Sequence, residues 1–144
     1  MREIDAASKH LYDTLTGDTA LAALIGDRVY EREAPADATY PFIVFSLYTS
    51  SSLKAGGKSG RLLVYPRWLV YAFLDRNDLP AAREVLSAAD DALTDSTGTV
   101  TLGSETYYVQ TVAQDGSPPE SGGTVDGNEY CRAGAFYTSP VHSV

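Results

Sequence analysis

The stretch Arg61–Leu74, RLLVYPRWLVYAFL, constrains the fold of this chain more than any other. It crowds Leu62, Val64, Tyr65, Trp68, Val70, Tyr71 and Phe73 into one β-favouring segment. From Trp68 onward both alternating faces are largely apolar: Trp68, Val70, Ala72 and Leu74 on one, Leu69, Tyr71 and Phe73 on the other. A strand wetted on one side would alternate with polar residues. This pattern predicts a mid-sheet strand, covered by helices on one face and by further protein on the other. Pro66 lacks a ladder donor and is expected to mark a bulge or bend. Arg67 interrupts the apolar run, which is too short to cross a bilayer, so no membrane association is expected.

The rest of the chain supplies elements to place around that strand. Ile4, Ala7, Leu11 and Leu15 fall at helical spacing. Gly17 breaks that helix, and Asp18 is placed to cap a short second one through Leu21, Leu24 and Ile25, closed by Gly26. Val29-Tyr30 opens a short strand, and Glu31–Thr39 reads as a loop. Tyr40–Tyr48 is the next strand, with Pro41 at its start. Thr49–Gly60, TSSSLKAGGKSG, is rich in serine and glycine and predicts a long hairpin tip between two strong strands. Asp78 caps the second main helix, with Pro80 in its first turn and Ala82, Val85, Leu86, Ala89 and Leu93 on its buried stripe. Thr99–Leu102 and Glu105–Ala113 form a hairpin about Gly103-Ser104. Asp115–Gly127 is a second breaker-rich loop, Glu129–Thr138 the last strand, and a tail follows Pro140. The order α-β-β-α-β-β predicts a single α+β domain, residues 1–144. Its expected form is a two-layer sandwich: a mostly antiparallel four-stranded sheet with two main helices on one face and long hairpin loops.

Bulk properties narrow the function. A net charge of −8 argues against a general nucleic-acid binder, which carries a basic balance. One cysteine, Cys131, excludes an internal disulfide framework and fits a reducing compartment. Met1–Asp5 has no apolar core, so no signal peptide is expected.

Motifs for chemistry are sparse. Gly56-Gly57-Lys58-Ser59 looks like part of a phosphate-binding loop, but that motif needs a glycine where Ser52 stands and a helix where a strand follows. His10, on the first helix, reads as a solvated residue, and neither it nor His142 has a partner at metal-ligand spacing. Cys131 has no adjacent base and reads as a small apolar residue. Asp90-Asp91 and Asp115/Glu120 read as solvated faces. No catalytic residue, cofactor site or metal site is therefore expected.

Charge layout says more. Between Ala38 and Leu74 there is no Asp or Glu, while Lys54, Lys58, Arg61 and Arg67 are basic. Asp115, Glu120, Asp126 and Glu129 then follow one another with no intervening base. Three readings fit: ordinary solvation, a positive loop of one copy meeting a negative surface of the next, or a basic tip facing a DNA backbone. A head-to-tail contact of the second kind is heterologous and closes into a ring when the rotation allows. Tyr48, Tyr65, Tyr71, Tyr107, Tyr108, Tyr130 and Tyr137 sit on predicted strands, several on faces two helices cannot cover, and tyrosine is enriched in interfaces. The contact residues expected are thus Lys54, Lys58, Arg61, Arg67, Tyr48, Tyr65, Asp115, Glu120 and Asp126.

Leu21-Ala22-Ala23-Leu24-Ile25-Gly26-Asp27-Arg28-Val29-Tyr30, a proline-bearing loop, then Tyr40-Pro41-Phe42-Ile43-Val44 resembles the tail-completion or tail-terminator proteins of long-tailed bacteriophages. Trp68–Leu74 with the helix Ala81–Leu93, and the strand Tyr130–Tyr137, are similar to that family's central strand, second helix and closing strand. The resemblance implies a structural protein of the virion tail or neck, assembled in the host cytoplasm as a hexameric ring. Such a ring caps the tail tube, stops its polymerisation and joins it to the head connector. Implied partners are further copies of itself, the tail tube protein and a connector or stopper protein, with DNA passing the lumen without specific binding. The family's mobile hairpins correspond to Thr49–Gly60, and Asp115–Gly127 departs from its pattern. The alternatives are another neck component, such as a head-completion or connector protein, and a small nucleotide-binding enzyme using Lys58 and Ser59.

Overall fold

The computed structural model describes residues 2–54 and 62–144. Three helices and nine strands follow in the order α1 (Glu3–Gly17), α2 (Thr19–Ile25), β1 (Val29–Glu31), β2 (Phe42–Lys54), β3 (Leu62–Leu74), α3 (Leu79–Leu93), β4 (Gly98–Leu102), β5 (Glu105–Val109), β6 (Ala113–Gln114), β7 (Ser121–Val125), β8 (Asn128–Thr138) and β9 (Val141–Ser143). The helices obey local rules. The Asp18 carboxylate accepts from the Leu21 N–H at 2.9 Å, and Asp78 accepts from Ala81 at 3.2 Å. Gly26 ends α2 at φ 64°, a conformation that favours glycine, and its N–H reaches the Ala22 carbonyl.

The strand β3 is the hub. It pairs antiparallel with β2 along its whole length. Its other edge is divided: β8 takes Arg67–Leu74 and β9 takes Leu63-Val64. The main path runs β1-β2-β3-β9-β5-β4, with β6 and β7 on the far edge of β8. Pro66 sits where β3 passes from one neighbour to the other. Its carbonyl accepts from the Ser139 N–H at 3.2 Å, and the register with β2 runs through it as Ser50↔Pro66. The expected irregularity falls on the opposite strand, between Leu47 and Thr49. That bulge turns Tyr48 onto the face away from the helices, where its ring lies 4.9 Å from Phe136.

The α+β class holds, but the sheet has nine strands where four were expected. The added strands come from segments too short or too rich in glycine to read as strands. Six residues assigned to the first long loop, Thr49–Lys54, continue β2 because Leu62–Arg67 lies opposite them. Within the second, Ser121–Val125 pairs with β8 around a turn at Asp126 and Gly127, with φ of 51° and 81°. The tail beyond Pro140 forms β9.

The core lies on one face of the sheet only. Trp68, Val70, Ala72 and Leu74 pack with Ala7, Leu11 and Leu15 of α1, Leu21 and Ile25 of α2, and Ala82, Val85, Ala89 and Leu93 of α3. The buried Trp68 indole donates to Ser139 Oγ at 2.8 Å, which satisfies both groups. His10 is buried in this layer rather than solvated, because α1 lies against β4 and β5, and its Nε2 is 3.1 Å from Ser96 Oγ. Burial pulls its pKa below the ordinary histidine value, opposed by the charge of Asp13.

Candidate interaction surface

Side chains of alternate parity on β3 face away from the helices. Cross-strand register sets Phe42 opposite Phe73, Val44 opposite Tyr71, and Phe136 opposite Leu69. Phe42 and Phe73 stack at 5.2 Å, Tyr40 lies 4.8 Å from Phe42, and Tyr30 meets Phe42 edge-on at 5.8 Å. Each such pair contributes about 0.5–1.5 kcal/mol beyond area burial. Their mutual packing buries Phe42 and Val44 without help from a helix. Tyr71 covers the neighbouring Gly134, where a Cβ would stand only 2.6 Å from its ring. The Arg132 guanidinium lies 4.4 Å over Tyr71 and donates to Ser121 Oγ at 2.9 Å.

From the β2 bulge onward, and where β2 and β3 extend beyond β8, this shelter ends. Tyr48 is 58% exposed and Leu53 57%, and Leu47 and Tyr65 are exposed as well. Tyr48, Leu53 and Tyr65 share the face away from the helices and form a patch of the kind that marks protein contact, whereas Leu47, opposite Trp68, is exposed on the helix side. A prediction of tyrosine exposure on the sheet therefore holds for Tyr48 and Tyr65, whereas Tyr107 and Tyr137 lie in the core. The Tyr137 hydroxyl donates to Asp90 at 2.6 Å, and burial, followed by that hydrogen bond, pushes its pKa far above the usual phenol range.

The charged residues separate into two groups. Arg67 faces Asp115 of its own chain, Nε to Oδ2 at 3.0 Å, and donates to the Asp115 carbonyl at 2.9 Å. Its guanidinium also lies 4.1 Å from the Phe136 ring centre. Glu120 takes a two-pronged contact from Arg83 at 2.6 and 2.5 Å, so its pKa is lowered, first by that hydrogen bond. The sequence separates these partners by 48 and 37 residues, which hid both pairs. Asp126 is exposed on the β7–β8 turn. Lys58 and Arg61 lie outside the described residues, as does the side chain of Lys54. The glycine-lysine motif at Gly56–Ser59 lies there too.

Cys131 is buried against β3, placed as an apolar residue. Among the described residues no three His, Cys, Asp or Glu side chains gather to hold a metal, and no helix is long and apolar enough to cross a membrane.

Together these features describe an α+β protein with an aromatic, half-uncovered sheet face. Residues 9–122 match the sequence model of the family described as Tail completion protein gp17. The chain belongs to that family, and is thereby a structural component of the phage-type tail, located in the virion. No curated protein sequence matches it. Among solved structures, a chain from the virion of a native gene transfer agent (GTA) particle aligns with a TM-score of 0.69 and 18% identity over 97% of both chains, a shared fold. A second aligns at a TM-score of 0.47 and 17% identity over 94% of this chain and 92% of its own, too loosely for inference.

Proposed function

We propose that the protein is a tail terminator: copies close into a ring, six in number, that caps the tail tube, halts its polymerisation and receives the head connector. It acts by contact and not by catalysis. The observation that carries this reading is the exposed apolar face of Tyr48, Leu53 and Tyr65 on the β2–β3 arm, in a chain of the tail-completion family. Burying such a patch against a neighbour removes apolar area from water at about 25 cal/mol per Å².

Polarity along β3 supports a head-to-tail arrangement. The strand has 13 residues, so its ends stand about 40 Å apart. The stretch with Lys54, Lys58 and Arg61 joins one end, and the turn carrying Asp126 lies beyond the other, where Leu74 pairs with Cys131. Unlike ends of successive copies attract, and a heterologous contact of this kind closes into a ring. Asp115 and Glu120 hold the intervening loop to Arg67 and Arg83, so that loop is offered to the neighbour as a fixed surface. Connector and tube proteins meet the two rims, and the net charge of −8 keeps passing DNA from adhering. Mass determination by light scattering, in concentrated solution and on isolated tails, tests the ring. A ring-sized species is expected, and a monomer in both settings rejects the reading.

A further inference from the structure

Glu3, in the first turn of α1, is only 6% exposed, and its Oε2 is buried with no hydrogen-bond partner among the described residues. The neighbouring cation, Arg2, faces Asp5 at 3.6 Å. A buried carboxylate oxygen without a donor is costly, and native structures place few. Glu3 lines two clefts. One, of about 500 Å³, is walled by Ser104, Glu105, Thr106, Tyr107 and Ser143. The other, of about 160 Å³, is walled by Asp5, Ser50, Ser52 and Val64 at the root of the β2–β3 arm.

Carboxylates and hydroxyls line the first cleft, and the second sets Asp5 and three serines beside the apolar Ile4 and Val64. Glu105 supplies a second carboxylate, which accepts from the Tyr107 hydroxyl. That hydroxyl is held above the usual phenol range, first by this hydrogen bond, with the charges of Glu105 and Glu3 adding to it. Such a lining repels anions. Two carboxylates among hydroxyls suit a group with several N–H donors, an ammonium or guanidinium.

We propose that the Glu3 clefts receive a Lys or Arg side chain from a second copy of this chain, completing the buried carboxylate when copies assemble. The assignment of the donor rests on the ring reading above. Charge complementarity supports it: Ala38–Leu74, the longest stretch without a carboxylate, carries Lys54, Lys58 and Arg61 besides Arg67, which its own Asp115 holds, and a copy of an otherwise acidic chain can present the first three.

Two measurements test it. Glu3→Gln keeps the side chain's shape and removes its charge. Sedimentation velocity across a concentration series is expected to show association at least tenfold weaker than wild type, with an unchanged melting temperature. Unchanged association overturns the proposal, and a lowered melting temperature with unchanged association places the missing donor inside the chain, which also overturns it. In the second, acetyl-arginine amide is titrated into dilute wild-type protein and followed by amide NMR. Shifts at Ser104, Thr106 and Ser143 that vanish in Glu3→Gln and with acetyl-glutamine amide are expected, and no shifts at millimolar probe reject the site. This titration needs no ring, so a wild-type monomer on tails and in solution removes the ring and the assigned donor, whereas a ring indifferent to Glu3→Gln removes only the present inference.

Discussion

Arg67→Ala removes one side chain that ties three parts of the sheet together, and its cost can be worked from contacts. The ion pair with Asp115 at 3.0 Å joins side chains 31% and 56% exposed, so solvent screening limits it to about 0.2–1 kcal/mol. The hydrogen bond to the Asp115 carbonyl at 2.9 Å adds about 0.5–1.5 kcal/mol. Stacking over Phe136 at 4.1 Å adds about 0.5–1 kcal/mol. These terms share one side chain and do not simply add, so about 2 kcal/mol is expected for the monomer. With a urea m-value of about 1–3 kcal/mol/M, the unfolding midpoint falls by roughly 1 M. Arg67→Lys keeps the charge but loses the planar fork and the stack, so it recovers less than half of the loss. Urea unfolding of the two variants with Asp115→Asn, in a double-mutant cycle, isolates the pair. If Arg67→Ala unfolds within about 0.5 kcal/mol of wild type, or if lysine restores full stability, the clamp between β3, β8 and the loop before β7 is refuted.

Other consequences follow from named contacts. Gly134→Ala places a methyl 2.6 Å from the Tyr71 ring and is expected to cost about 1–3 kcal/mol, read as a lowered melting temperature. Trp68→Phe leaves the buried Ser139 hydroxyl without its indole partner and opens a void, together costing about 2–4 kcal/mol in the same assay. For His10, the folded pKa lies below the ordinary value of 6.5, so the unfolded chain binds the proton more readily. Its share of stability is present above that value and is lost as pH falls through it. His10→Gln is therefore expected to flatten the acid side of the stability–pH curve, and an unchanged slope in urea melts counts against the buried neutral ring. Reversing Lys54, Lys58 and Arg61 to Glu is expected to weaken assembly while the circular dichroism of the monomer stays unchanged. Normal assembly of that variant removes the head-to-tail role of the arm.

How far the sequence could be read depended on the range of the interactions involved. Trp68–Leu74 was legible as a mid-sheet strand because both its faces are apolar, and β2 and β8 do flank it. The helices were legible because their spacing and caps are local: Asp18 and Asp78 act within three residues of themselves. Partners distant in sequence were not legible. The serine run Ser50–Ser52 has no strand propensity to speak of, and it is a strand because Val64–Pro66 lies across from it. His10 has the flanks of a surface residue, yet β4 and β5 pack over its helix. For the interaction surface, exposure of Tyr48 and Tyr65 was foreseeable from tyrosine on a strand, whereas the spending of Arg67 and Glu120 on Asp115 and Arg83 was not. Glu3 was passed over because a carboxylate in the first turn of a helix ordinarily serves the helix dipole, and only its burial singles it out.

The proposal that neighbouring copies cover the apolar arm is tested most directly by hydroxyl-radical footprinting of the isolated chain and of intact tails. Oxidation of Tyr48, Leu53 and Tyr65 is expected to fall severalfold in the tail, while Tyr12, exposed on the outer side of α1, labels equally in both. Equal labelling of the arm in the two states would contradict the account.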